Sequence, residues 1–192
     1  MKVLSLFGGP RQKGNTATVL SWVEEALQTR GHRVQRINVI DKKVAGCLGC
    51  SNCQQVADEP GCVQRDDALF IFEQMVASDL ILYSCPLYCW SFPGQLKVLL
   101  DRHFCLVTGY DVGEPESLIQ EHRTALLVTC AGPLENNADL IVEMFHRFAA
   151  YLLARPVGEL IVPFCTSPEA LGEESRAQVS AFAAKICSTE AL

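Results

Sequence analysis

The chain has 192 residues, 49% of them apolar and 20% charged, with 13 Gly and 9 Pro spread along it. This is the composition of one ordinary globular core, without a low-complexity tract or internal repeat. A formal net charge of −6 leaves no basic stripe with which to displace counterions from nucleic acid.

At the N-terminus the apolar run Val3 to Phe7 stops at Gly8-Gly9-Pro10-Arg11, too short for a signal peptide or a membrane span, so a cytoplasmic protein without membrane contact is expected. In a reducing compartment the ten cysteines are expected to be buried, metal-bound or catalytic rather than paired.

Val3 to Phe7 is the pattern of a buried parallel strand feeding a functional turn. The following helix, Asn15 to Arg30, places Val19, Trp22, Val23, Ala26 and Leu27 at helical spacing and ends at Gly31. Arg33 to Ile40 reads as the second strand, and a cysteine-rich loop occupies about 46–65. Asp66-Asp67 then cap a helix running to about Ser78. Leu80 to Ser84 is the third strand, followed by a helix from Gly94 to Phe104. Thr124 to Cys130 is the fourth strand, and Asn137 to Ala154 is a helix stopped by Pro156. Glu159 to Phe164 is the fifth strand, and Pro168 to Cys187 is a closing helix. Five alternating strands and helices call for one α/β domain over 1–192, a parallel sheet with helices on both faces and right-handed crossovers. Ligands of such sheets bind beyond the carboxyl ends of the strands, which directs attention to the first, third and fourth turns.

The first turn, Gly8-Gly9-Pro10-Arg11-Gln12-Lys13-Gly14-Asn15-Thr16, contains neither GxGxxG nor GxxxxGK[ST]. It brings glycine amides to a helix N-terminus beside Arg11, Asn15 and Thr16, a combination suited to a phosphate dianion; the competing reading is a plain loop with Asn15 or Thr16 as N-cap. A phosphoacceptor receiver domain would need acidic residues after the first and third strands, where Phe7-Gly8-Gly9 and Ser84-Cys85-Pro86 have none. The third turn concentrates Tyr88, Trp90 and Phe92 in a short loop suited to covering a flat ring, although one or two of these rings would equally pack beneath it. Lys97, Asp101 and Arg102 read as a charge set on a helix surface. His32, His103, His122 and His146 read as surface or packing residues, no general acid or base is required, and no GxSxG elbow suggests a hydrolase.

Gly8-x-Pro10-Arg11-x-x-Gly14-Asn15-Thr16, together with Pro86-Leu87-Tyr88-x4-Pro93-Gly94-Gln95-Leu96-Lys97-x3-Asp101-Arg102, resembles the NAD(P)H-dependent FMN reductases and iron-sulfur flavoproteins of the flavodoxin-like superfamily. The resemblance implies a three-layer sandwich on a five-stranded parallel sheet of order 2-1-3-4-5. It places the FMN phosphate at Gly9, Pro10, Arg11, Gly14, Asn15 and Thr16. It puts the isoalloxazine against Pro86, Leu87, Tyr88, Cys89 and Trp90, with Cys130, Ala131 and Gly132 at the far edge. Where the family often carries Ser after the first glycine, this chain has Gly9, so phosphate binding is expected to lean on backbone N–H groups.

Cys47-x2-Cys50-x2-Cys53-x8-Cys62 can direct four sulfurs at one centre. The resemblance implies a 4Fe-4S cluster there; zinc, free structural thiols and a redox-active disulfide are the chemical alternatives. Cys85, Cys89, Cys105, Cys130, Cys165 and Cys187 read mostly as buried small hydrophobes, with Cys85 and Cys89 flanking the aromatic turn. The expected activity is an oxidoreductase that moves electrons from NAD(P)H or a protein donor through FMN to a quinone, a flavin or another small acceptor. A non-enzymatic electron carrier and a zinc-stabilised binding module are the rivals. A homodimer or homotetramer is implied by the resemblance.

Overall fold

The computed structural model describes residues 1–167, 169 and 171–188. Lys2–Phe7 (β1), Arg33–Asn38 (β2), Leu80–Pro86 (β3), Arg123–Thr129 (β6) and Arg155–Val162 (β7) form one parallel sheet in the order β2-β1-β3-β6-β7. This is the 2-1-3-4-5 order expected of a flavodoxin-like protein. Asn15–Thr29 (α1) and Glu173–Cys187 (α5) cover one face; Asp67–Val76 (α2), Gly94–Asp101 (α3) and Asp139–Tyr151 (α4) cover the other.

Strand periodicity divides the core between the two faces. Leu4 and Leu6 of β1, Ile81 and Tyr83 of β3, and Leu126 and Val128 of β6 pack under α2, α3 and α4. Their neighbours Val3, Phe7, Leu80, Leu82, Ala125 and Leu127 pack under α1 and α5. With both faces buried, the inner strands read as continuous apolar runs.

Several boundaries differ from expectation for local reasons. β2 ends at Asn38 because Val39–Asp41 tighten into a 3-10 turn. α3 stops at Asp101, and Arg102–Leu106 continue as a 3-10 turn rather than as helix to Phe104. A short antiparallel ladder, Val107–Thr108 (β4) with Glu116–Ser117 (β5), follows; neither pairing segment is long enough to show a period. α4 begins at Asp139 rather than Asn137, behind an irregular turn in which Asn136 is left-handed at φ 55°. β7 begins at Arg155, so Pro156 lies inside a strand instead of only stopping a helix. It is tolerated because β7 is an edge strand and the ladder is irregular at Thr124/Ala125. Pro168, the expected start of the closing helix, lies outside the described residues, and α5 begins at Glu173.

His103 is fully buried beneath α2 and α4, edge-on to Phe72 at 5.3 Å and 5.1 Å from Phe148. Its Nδ1 lies 2.9 Å from the Leu99 carbonyl and must carry the proton, so Nε2 accepts from the Tyr83 hydroxyl at 3.2 Å. Burial holds the His103 imidazole at a pKa of about 4, below its ordinary 6.5. The unfolded chain therefore takes up this proton first, and the contribution of His103 to stability is complete above pH 6.5 and declines as pH falls towards 4. Urea unfolding at pH 8 and pH 5 should show a loss of about 2 kcal/mol that H103Q does not share.

Candidate functional site

The turns after β1, β3, β6 and β7 enclose a cavity of about 270 Å³ at the carboxyl edge of the sheet. Gly9, Pro10, Arg11, Gly14, Asn15 and Thr16 form one wall, Pro86, Leu87 and Tyr88 the second, and Cys130 and Ala131 part of the third. Phe7, Thr129, Cys165 and Thr166 also line it, and the sequence reading did not single them out for this role. Cys165 and Thr166 lie in the turn that follows β7 and reach the cavity through its pairing with β6. Cys89, Trp90 and Gly132 are not among the cavity walls.

The wall formed by the first turn is built from backbone and short polar side chains. Gly14 is the N-cap of α1, and no side chain caps this helix. Asn15 Nδ2 instead donates to the Cys165 carbonyl at 3.3 Å, and the Thr16 and Thr129 hydroxyls share a 2.6 Å hydrogen bond. The first N–H groups of α1 thus meet the cavity without a side-chain acceptor, in the arrangement that favours anions at helix N-termini. Gly14 N donates to Arg11 O at 3.1 Å, turning the loop so that Arg11 reaches the same space. Burial pushes the Cys130 and Cys165 thiols upward, so both line the cavity as neutral groups.

Gly8 and Gly9 are fixed by crowding. A Cβ at Gly8 would sit 2.6 Å from the Leu96 Cβ, and one at Gly9 would sit 2.5 Å from the Phe7 ring and 3.3 Å from Pro86. Phe7 is buried at 1% exposure and has no room to withdraw. The ring of Phe7 therefore occupies the space that a serine side chain would need at position 9.

Beyond Tyr88 the chain reverses in a two-residue turn: Tyr88 N donates to Ser91 O at 3.1 Å and Ser91 N to Tyr88 O at 3.0 Å. Cys89 and Trp90 take φ of 47° and 59°, the pattern of a type I′ turn normally filled by Asn and Gly. Two non-glycine residues there store backbone strain of about 1 kcal/mol or more each. The turn leaves Trp90 56% exposed, while Phe92 packs into the core. Cys85, which flanks this turn, points under α2 to α4 and is completely buried as a small hydrophobe, with its thiol pushed up by desolvation.

The chain matches the family described as NADPH-dependent FMN reductase over residues 1–169. It belongs to that family. An iron-sulfur flavoprotein of Methanosarcina thermophila is 33% identical over 106 residues, covering 55% of this chain and 54% of that protein. The match therefore spans about half the length of that relative. An iron-sulfur flavoprotein of Methanocaldococcus jannaschii is 27% identical over 158 residues, 82% of this chain and 75% of that one. Among solved structures, an NAD(P)H:quinone oxidoreductase from Methanothermobacter marburgensis superposes with a TM-score of 0.72 at 18% identity, over 97% of this chain and 98% of that one. That likeness establishes the flavodoxin-like fold. In this family member no described helix is long and apolar enough to cross a membrane.

A second pocket is lined by Cys47, Cys50, Cys53 and Cys62, with Arg102 and Cys105 on its inner side. Cys53 and Cys105 are buried, Cys62 is half-buried, and Cys47 and Cys50 are exposed. Burial, reinforced by Cys62 and Cys53, pushes the Cys105 thiol up to about 12. Among the described residues, no three Cys, His, Asp or Glu side chains are grouped as a metal site. The donor set nevertheless suits a thiophilic centre: four sulfurs border one space, and Gly49 N lies 3.4 Å from Cys47 Sγ. Gly61 permits the fold of the loop, since a Cβ there would meet Val56 at 2.6 Å and the Cys53 carbonyl at 3.1 Å.

Arg102 departs from the expected surface charge set. Lys97 and Asp101 do pair across one helical turn, but Arg102 is 1% exposed and lies inside the cysteine pocket.

The crowding at position 9 yields a direct test. Gly9→Ser should lower stability by about 1–3 kcal/mol through overpacking against Phe7. Urea unfolding measures that loss, and flavin titration of the same variant should show no gain in FMN affinity from the added hydroxyl.

Proposed function

We propose that this protein binds FMN in the cavity at the carboxyl edge of the sheet. There it takes electrons from NAD(P)H or a protein donor and delivers them to a quinone, a flavin or another small acceptor. The observation that carries this reading is the convergence of an uncapped α1 N-terminus, Arg11 and the Thr16–Thr129 hydroxyl pair on one wall, opposite the apolar Pro86-Leu87-Tyr88 turn. The first wall suits a phosphate dianion, through N–H groups, a helix dipole and a charge-assisted bond. The second suits one edge of a flat ring, with Ala131 opposite it.

In this assignment Gly9, Pro10, Arg11, Gly14, Asn15 and Thr16 hold the phosphate, and Pro86, Leu87, Tyr88, Cys130 and Ala131 border the isoalloxazine. Cys89, Trp90 and Gly132 lie beyond the walls, so their part is to shape the turns that carry those residues. Bound FMN supplies two-electron acceptance and one-electron release. The protein's own share is positioning, exclusion of water by Leu87 and Tyr88, and charge compensation by Arg11. We further read Cys47, Cys50, Cys53 and Cys62 as the ligands of a 4Fe-4S cluster, supported by the four-sulfur donor set and by relatives that are named iron-sulfur flavoproteins. The family resemblance supports a homodimer or homotetramer acting on small molecules in the cytoplasm.

Protein purified without oxygen should release close to one FMN per chain on denaturation and oxidise NADPH or NADH when a quinone is added. If no small acceptor supports turnover, the enzyme reading falls and the electron-carrier and binding-module readings remain. Arg11→Ala should weaken FMN binding roughly tenfold or more. Unchanged affinity in a fluorescence titration would remove the phosphate from this loop.

A further inference from the structure

Among the described residues, Arg102 is the one Lys, Arg, Asp or Glu whose side chain is fully buried. Taking a guanidinium out of water is costly unless its charge is paired and its five N–H groups find acceptors. Asp66 supplies the charge, with Oδ2 at 2.5 Å from Nη1, and the Ala45 carbonyl lies 3.3 Å from the same nitrogen. Asp66 is itself shared: it accepts from Ala45 N at 2.9 Å and, as the N-cap of α2, from Ala68 N at 3.1 Å. A guanidinium is not deprotonated in proteins, even when buried. The side chain stays a cation.

The rest of the guanidinium faces sulfur. Nη2 lies 3.2 Å from Cys62 Sγ, and Nε has no partner. A neutral thiol is a weak acceptor for a buried cation, whereas a thiolate is a strong one. The arrangement therefore suits a Cys62 sulfur that carries negative charge, as it does when it ligates a metal. Hydrogen bonds and positive charge directed at ligating sulfurs are among the terms that set the potential of an iron-sulfur centre.

We propose that Arg102 is a positioning residue for the cysteine pocket: its Nη2–H···Sγ bond holds Cys62 as a ligand and raises the reduction potential of the centre, with Asp66 acting in the opposite direction. The inference rests on the 4Fe-4S reading given above and concerns residues outside the four ligands. A purely structural role is the alternative, because the Arg102–Asp66 pair also ties together the two ends of the cysteine loop, at Ala45 and Asp66.

The two roles separate by sign. The full-length wild type, R102Q, R102K and D66N are reconstituted without oxygen with FMN, ferrous iron and sulfide. Iron, zinc and acid-labile sulfide are assayed, and the cluster midpoint is measured by EPR-monitored redox titration. R102Q should lower the midpoint, and R102K should fall between it and wild type because lysine keeps the charge but loses the fork. D66N should raise it, because asparagine still caps α2 while the negative charge is gone. If R102Q loses the cluster altogether, the downward shift of R102K against the upward shift of D66N carries the same test. Shifts in one direction for both sites, or no shift with normal cluster content, would overturn the proposal and leave the clamp. A wild-type chain that takes up no iron and sulfide would overturn the cluster reading, and this inference with it.

Discussion

Because helices cover both faces of the five-stranded sheet, its inner strands can spare few polar side chains for chemistry, and polar work moves to the turns beyond their carboxyl ends. The cavity wall formed by the first turn is the direct product. β1 delivers the chain to Gly8 and Gly9 at a point crowded by Leu96 and Phe7, and only a backbone without side chains passes. α1 then starts at Asn15 with its N-terminal amides facing the space that the third, sixth and seventh strands enclose. The hydroxyls of Thr16 and Thr129 bond across that space from a helix and a strand end, which fixes the helix against the sheet at the place where a ligand would sit.

The same edge carries a second and different solution. The cysteine loop after β2 contains no strand and only a short 3-10 turn at Asn52–Gln55, so it has little ladder or core of its own. Three polar tethers hold it instead. Gln54 Nε2 donates to the carbonyls of Phe104 and Val107 at 3.0 and 2.9 Å, and Gln64 Nε2 to Gly46 O at 3.0 Å. Asp66 and Arg102 close its base. Two of these tethers end on Phe104 and Val107, in the stretch that leads from α3 into the short β4–β5 ladder, and so tie the loop to that segment.

Much of this was legible in the sequence, and what was missed has common physical causes. Strand and helix order follows from apolar runs and turn residues, which local chemistry decides; the Asp66 cap and the left-handed Gly31 after α1 are of this kind. Arg102 was misread because the helix was carried on to Phe104. The chain leaves α3 at Asp101 for a 3-10 turn, whose larger rotation per residue swings Arg102 inward. Pro156 was misread because its tolerance depends on β7 being an edge strand, a fact of sheet order rather than of local sequence. Trp90 looked like a cofactor platform by residue type, yet its orientation is set by a type I′ turn whose usual Asn-Gly signature is missing. Thr129 and Cys165 come to the cavity through parallel pairing of β6 and β7, a long-range contact without a motif.

The two sites therefore differ in where their order comes from. The cavity wall is made by elements with complete hydrophobic cores, so it is formed before any ligand arrives and a ligand pays little to organise it. The cysteine loop depends on a few side-chain tethers and one buried ion pair, which places it at the less stable end of the molecule's local openings. Anything bound by its four sulfurs would contribute its binding free energy directly to the order of that loop. Arg102 stands at the junction, with its charge balanced by Asp66 and one donor turned to Cys62, so the electrostatics of the pocket and the anchoring of the loop pass through the same guanidinium.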